Sequence, residues 1–424
     1  MGGGLTMWQW CDKGEETQAA VAVAGLLLDQ GKALLSTEQD KGARLIKHAV
    51  RSHGLPKIEA MLKLAATVPG MTVGFHELDQ DAWLLGVRNG VVNLRTGGLL
   101  VNQPSMLITK QCNASYDSTA QCPKWLTFLD QVFAGDAETI ETLQRTLGYT
   151  LTGEVTEEKL FICFGFGSNG KSVFGNVVSA ILGDYGRMAP SSLLTARRDG
   201  DTGPRNDLAA LAGARYVSIN ELQAGDRLDE QIVKQLAGRE PITARFLHKE
   251  FFTFNPTFTP WLRTNHKPIV TGDDEGIWRR LVLIHFRQQF TGAGIDLHLE
   301  SKLLSERDGI LAWMVEGALK WKKDGLKLSP TIRQEVATYR KDSDLLGEFL
   351  SECCVADPKT RIEQSTLYSR YQGWCDTNGM RSVAKATFTR RLVERGYDEA
   401  KSNGKRFYAG LCLQGQCPHV PSLR

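Results

Sequence analysis

Apolar positions change their period several times along the chain, and each change marks a different kind of element. From about Thr17 to Ala66 they recur at helical spacing, interrupted near Gly54-Leu55-Pro56 and stopped at Pro69-Gly70. That pattern predicts a helical N-terminal subdomain over 1–70. From Thr72 to Tyr116 the apolar runs shorten to strand length and alternate with turn signals, among them Arg88-Asn89-Gly90 and Thr96-Gly97-Gly98. A second helical block, Trp125 to Leu151, completes an α+β region and helical collar over 71–152. Between Leu160 and about Phe290 apolar strands alternate with helices, the pattern of an α/β unit with a parallel-type sheet and helices packed on it. Helical spacing resumes from Leu299 to Lys323 and again after Pro330, and Asp342 to Asp344 reads as a linker into 345–424. There, helical runs precede a turn at Ser402-Asn403-Gly404-Lys405-Arg406, an order that predicts a winged helix.

Composition narrows the class. The 424 residues are 42% hydrophobic and 23% charged, an ordered composition with room for more than one domain. The longest early apolar run, Ala19 to Leu28, ends at Asp29 and falls short of the roughly 20 residues of a membrane span, so no membrane partner is expected. Nine cysteines without a CxxC pair predict reduced thiols and a cytoplasmic setting. A formal charge of +3 is too small to announce nucleic acid by itself, so any basic surface must be local. It is local from Arg381 to Arg406, with eight Lys/Arg against three Asp/Glu. Lys385, Arg390 and Arg391 on the predicted helix, with Lys405 and Arg406 on the wing, are candidate DNA contacts. The alternative is a solvated basic helix in a protein-contact module.

The chemistry is concentrated in the middle. Gly165-Phe166-Gly167-Ser168-Asn169-Gly170-Lys171-Ser172 fits GxxxxGK(S/T), follows the apolar run Leu160 to Phe164 and precedes a helix-compatible run from Val173 to Ile181. Such a loop turns backbone N–H groups around the phosphates of ATP, aims Lys171 at the β/γ oxygens and offers the Ser172 hydroxyl to Mg²⁺. A glycine-rich turn without a ligand would leave Lys171 unexplained. Downstream, Arg215 to Ile219 reads as a strand ending at Asn220-Glu221, which makes Glu221 a candidate base and metal neighbour; an acidic residue at an exposed strand end is the competing reading. Phe258 to Thr264 is another strand, ending at Asn265, either an amide that positions water or a turn former. Trp278-Arg279-Arg280 offers an arginine finger, against a plain salt bridge to nearby acids. Between these, Ile242 to Phe254 has two apolar arms around a polar tip. It reads as a β-hairpin presenting His248 and Lys249, with Arg245 nearby.

Taken in order, the phosphate loop, the Asn220-Glu221 strand, Lys234 and Gly238 before the hairpin, Thr264-Asn265 and Trp278-Arg279-Arg280 resemble a superfamily 3 helicase of the phage/plasmid primase-helicase type, a relative of poxviral and papillomaviral replicative helicases. Leu84 to Val92, Cys122-Pro123-Lys124-Trp125 and Leu147-Gly148-Tyr149 resemble that family's preceding domain, so the likeness covers nearly the whole chain. The resemblance implies an AAA+-like P-loop NTPase core at 153–340 and a ring, usually a hexamer, with ATP and Mg²⁺ between subunits and single-stranded or forked DNA in the channel. By the same resemblance, Lys171 and Ser172 bind phosphate and metal, Glu221 is the base, Asn265 the sensor, Arg280 or Arg279 the trans finger, and His248 and Lys249 grip the strand. Asn220 stands where many members carry a second acid, which puts direct metal ligation by that pair in doubt. The chain begins too near the helicase block to hold a primase domain upstream, so primer synthesis is expected from a separate partner. The expected role is replication of a phage, prophage or plasmid in a bacterial host cytoplasm. An ATP-switched origin-binding initiator is the alternative, whereas a kinase would need a substrate lid and leaves the hairpin and arginine pair without a role.

Overall fold

The computed structural model describes residues 8, 14–195, 205–223, 225–246, 250–270, 275–292, 295–380 and 382–415. The chain starts with three helices, α1 (Glu15–Leu34), α2 (Gln39–Ser52) and α3 (Leu55–Ala65). A small antiparallel sheet follows, β1 (Leu84–Val87), β2 (Gly90–Asn93) and β3 (Gly98–Leu100). Helices α4 (Pro123–Phe133) and α5 (Ala137–Thr152) lead into the central unit. Its elements are β4 (Leu160–Phe164), α6 (Lys171–Leu182), β5 (Gly186–Ala189), α7 (Asn206–Ala209), β6 (Tyr216–Asn220), α8 (Glu230–Leu236), β7 (Ile242–Ala244), β8 (Phe252–Phe254), β9 (Thr259–Thr264), α9 (Glu275–Trp278) and β10 (Leu281–His285). Helices α10 (Leu299–Leu304), α11 (Arg307–Asp324) and α12 (Pro330–Asp342) come next. The last segment holds α13 (Leu345–Cys353), β11 (Cys354–Glu363), α14 (Gln364–Thr377), α15 (Lys385–Glu394), β12 (Glu399–Ser402) and β13 (Lys405–Leu413).

Five strands form one parallel sheet in the order β10-β4-β9-β6-β5, the arrangement of a P-loop NTPase core. Every residue of β4 is buried, as expected when both faces of a parallel sheet are covered. Alternate side chains enter two cores. Phe161, Cys163 and Trp261 pack with α4, α5, α6 and α11 on one face, while Leu160, Ile162 and Leu262 pack with Trp278 and Tyr339 on the other. The collar therefore shares a core with the sheet. Its helices α5 and α11 cross at backbone contact: a Cβ on Gly148 would lie 2.0 Å from the Ala318 nitrogen, and one on Gly317 would lie 2.0 Å from the Gln144 carbonyl oxygen. Buried Arg215 ties the parts together, donating to the carbonyls of Leu84 and Leu151 and lying over the Tyr185 ring.

The C-terminal segment has its own core of Leu346, Phe349, Tyr371, Phe388 and Tyr408 and a three-stranded antiparallel sheet in the order β11-β13-β12. Asn403 and Gly404, both at positive φ, close the β12–β13 hairpin, the conformation a two-residue hairpin turn requires. No helix among the described residues is long and apolar enough to cross a membrane. Six described cysteines are free, whereas Cys412 is disulfide-bonded, which departs from the expectation of reduced thiols throughout.

Candidate functional site

The loop Gly165 to Gly170 leaves the C-terminal end of β4 and enters α6 at Lys171. Gly165 sits at φ 144, where a Cβ would approach the Phe286 carbonyl oxygen to 2.3 Å. Gly170, at φ 87, is packed under Phe128 of the collar, 3.0 Å from where its Cβ would stand. The loop is also fastened to the segment after β10. Asn169 Nδ2 donates to the Phe286 carbonyl at 2.9 Å, and the Phe290 N–H donates to the Ser168 carbonyl at 2.8 Å. Lys171, only 7% exposed, curls back and donates to the Gly165 carbonyl (2.6 Å), Asn169 Oδ1 (2.9 Å) and the Phe166 carbonyl (3.4 Å). Burial holds its ammonium below the ordinary lysine range, and the Cys163 and Glu221 side chains oppose that shift. All three acceptors are neutral. An ammonium held by neutral oxygens at a helix N-terminus is a fitting place for a polyphosphate.

Strand order puts the ends of β4, β9 and β6 side by side. Glu221 follows β6 with φ 42, and its N–H donates to the Arg263 carbonyl at 2.8 Å. A non-glycine residue in this region costs on the order of 1–3 kcal/mol and persists where the surroundings over-determine it. Asn265 Nδ2 donates to Glu221 Oε1 at 2.8 Å. The fold thus joins the candidate base to the candidate sensor, two residues assigned separately from the sequence. Asn220 turns to a different partner: its Oδ1 accepts from Arg263 Nη2 at 2.7 Å. The loop after Asn265 is anchored by α12, where the Tyr339 hydroxyl donates to the Pro268 carbonyl and Glu335 pairs with Lys267, His285 and Arg287. Burial alone raises the Glu335 carboxyl, but hydrogen bonds from His285 and Arg287 outweigh it and hold the group below the usual carboxylate range. The Ser172 hydroxyl, on the exposed side of the first turn of α6, and Glu221 are the side chains that would face a Mg²⁺ ion bound with the phosphates.

The paired arginines behave differently from each other. Arg280 is 12% exposed and donates to Glu158 Oε2 (2.9 Å) and the Gly276 carbonyl (2.6 Å), whereas Arg279 is 60% exposed and reaches the same carboxylate at 3.4 Å. Arg239 joins them on Glu158 Oε1 at 3.3 Å. Among the described residues, the acid that both arginines meet is Glu158. The hairpin arms are present as β7 paired antiparallel with β8, and Arg245 stacks over the Phe251 ring at 4.6 Å. His248 and Lys249 lie outside the described residues.

In the C-terminal segment, Lys385, Arg390 and Arg406 are exposed, and exposed Lys405 pairs with Glu363 at 2.8 Å. Arg391 is a correction. It is 5% exposed, in the cleft where α15 faces α12 beside Arg340, Lys341 and Asp344. It does not lie on the outer surface with its neighbours. Sequence reasoning also missed Arg263 and Glu158. The signals available were a cation inside an otherwise apolar strand and an acid just before β4.

Residues 3–134 match the family described as D5 N terminal like, residues 341–403 match poxvirus D5 protein-like, and residues 163–280 match a family of unknown function. Among similar proteins, an inferred helicase of Acanthamoeba polyphaga mimivirus is 27% identical over 75% of this chain and 36% of its own length. An inferred primase of African swine fever virus is 26% identical over 71% of this chain and 34% of its own length. An inferred helicase of Frog virus 3 is 22% identical over 63% and 29%. The chain thus spans about a third of the length of the relatives it matches. The apo structure of the NrS-1 C-terminal region is similar at 13% identity and a TM-score of 0.45, covering 70% of this chain and 77% of that one. With D5-type matches at both ends and relatives named as helicases and primases of large DNA viruses across most of its length, the chain is a relative of the primase-helicase family.

Proposed function

We propose that this chain is the ATP-hydrolysing motor of a ring-forming DNA helicase that moves along single-stranded DNA during replication of a viral or plasmid-type replicon. The observation that carries the proposal is the Asn265–Glu221 hydrogen bond at the strand ends beside the Lys171 loop. A carboxylate held by a neutral amide is oriented to take a proton from water, and the amide can in turn report whether a γ-phosphate is present. Lys171 would exchange its loop carbonyls for phosphate oxygens. Ser172 and Glu221 would hold a Mg²⁺ ion bound with the nucleotide, which would supply charge neutralisation. A hexamer would place the arginine patch of one copy beside the phosphates of the next. The C-terminal segment would act as a winged helix, with Lys385, Arg390, Lys405 and Arg406 toward DNA.

The test is ATP hydrolysis and strand displacement measured together on a forked duplex with a 3′ or a 5′ tail. DNA-stimulated hydrolysis with tail-dependent unwinding is expected. Hydrolysis without unwinding would support the initiator reading instead.

Exposure separates the two arginines. Arg279→Ala is expected to leave nucleotide binding intact and to inhibit hydrolysis in trans in mixed rings, by about 10³-fold or more if it is the finger. Arg280→Ala is expected chiefly to lower the melting temperature, since it leaves Glu158 and the Gly276 carbonyl short of a partner. A trans defect confined to the Arg280 variant would reverse this assignment. For the hairpin, replacing His248 and Lys249 together is expected to preserve hydrolysis and abolish strand displacement. An unchanged displacement rate would remove the hairpin from the motor.

A further inference from the structure

Arg263 is a cation one residue from the end of the buried strand β9, 9% exposed. Its side chain reaches two other elements, α6 and β6. Nη1 donates to the Ser172 carbonyl and to Asn176 Oδ1 on α6, both at 3.1 Å, and Nη2 donates to Asn220 Oδ1 at the end of β6, at 2.7 Å. These acceptors are all neutral, and among the described residues Nε has no hydrogen-bond partner. Burying a guanidinium on neutral oxygens alone is costly and stabilises little by itself, so structure alone is a poor account of it. The helix makes room for it. At Gly175 an added Cβ would lie 2.5 Å from Nη1 and 2.6 Å from Cδ and Cζ of Arg263. The Arg263 backbone completes the arrangement, because its carbonyl accepts the N–H of Glu221.

Resting on the nucleotide-site reading above, we infer that Arg263 is a positioning residue for the metal and water side of that site. It ties the Ser172 backbone to the end of β6 and occupies the Asn220 amide oxygen. Glu221 is thereby left as the sole carboxylate presented there from β6. An aspartate at position 220 would be captured by the guanidinium as an ion pair before it could reach a metal ion. This account explains why a chain with Asn220 in place of an acid carries a buried arginine on the adjacent strand.

The experiment uses a fluorescent ATP analogue as probe, with Mg²⁺ titrated, alongside thermal melting and steady-state hydrolysis. Arg263→Gln is expected to lower kcat by about tenfold or more, the scale found for outer-shell partners, while the nucleotide dissociation constant stays within about twofold. Gly175→Ala, which displaces the guanidinium without removing its charge, should give the same split. Asn220→Asp alone is expected to leave the Mg²⁺ half-saturation of probe binding within about twofold, whereas Asn220→Asp with Arg263→Gln frees the carboxylate and lowers it by about tenfold. Should Arg263→Gln fail to fold, the Gly175→Ala variant and the Asn220→Asp titration decide the matter. Tighter Mg²⁺ dependence from Asn220→Asp alone, or normal turnover in both displaced-arginine variants, overturns the inference and leaves the nucleotide site standing. If the unmodified protein binds no probe while melting normally, the nucleotide-site reading itself falls, and this inference with it.

Discussion

Lys171→Ala is expected to abolish ATP turnover and to weaken nucleotide binding, with little change in melting temperature. The side chain donates only to two loop carbonyls and the Asn169 amide oxygen, groups that water at the mouth of the loop can satisfy once the amine is gone. The fold therefore loses little. A bound nucleotide would lose a compact positive charge at the point where negative charge would gather on γ-phosphoryl transfer. Removing one preorganised charge-stabilising group of this kind costs about 10²–10³ in rate, and loss of binding adds to that. Lys171→Arg is not expected to rescue, because a planar guanidinium fork cannot take the compact point-charge position that the ammonium holds among the Gly165 and Phe166 carbonyls and Asn169 Oδ1. The measurements are probe binding and phosphate release. Normal turnover in the alanine variant would remove the loop from the chemistry.

Glu221→Gln is expected to separate binding from hydrolysis. Glutamine keeps an oxygen for the hydrogen bond from Asn265 Nδ2 and keeps the shape of the strand end, but it cannot accept a proton. General-base contributions are of the order of 10²–10⁴, so hydrolysis should fall by about that factor while the probe still binds. The substitution also removes a negative charge near the phosphates, which favours binding. Such a variant should accumulate with ATP bound, and single-stranded DNA affinity measured in that state would report the nucleotide-loaded form of the assembly. Turnover within about tenfold of the unmodified protein would show that another group activates the water. Asn265→Ala tests the same pair from the other side, since it leaves Glu221 in place without its orienting amide.

Much of the site was legible because its signals are local. A loop of glycines between an apolar strand and a helix is defined by residues within a few positions of one another, and so is the hairpin turn at Asn403-Gly404. Burial of Arg280 was not legible. Arg280 and its partner Glu158 are 122 positions apart, and nothing in the chain near Arg280 indicates which acid it will meet. Asp273 and Asp274, the nearby acids, lie outside the described residues. The buried position of Arg391 was not legible either, because it depends on how α15 meets α12.

By itself the sequence determined the kinds of element, the α/β character of the middle, the phosphate loop and the identities of the candidate base and sensor, because these depend on backbone preferences and side-chain periods over short spans. The tertiary structure decided which of those residues act together. Only the strand order β10-β4-β9-β6-β5 brings Glu221 to Asn265 and Arg263 to Asn220. Strand order is set by how whole faces of the sheet bury against α6, the collar and α12, a competition among distant surfaces that no local pattern records.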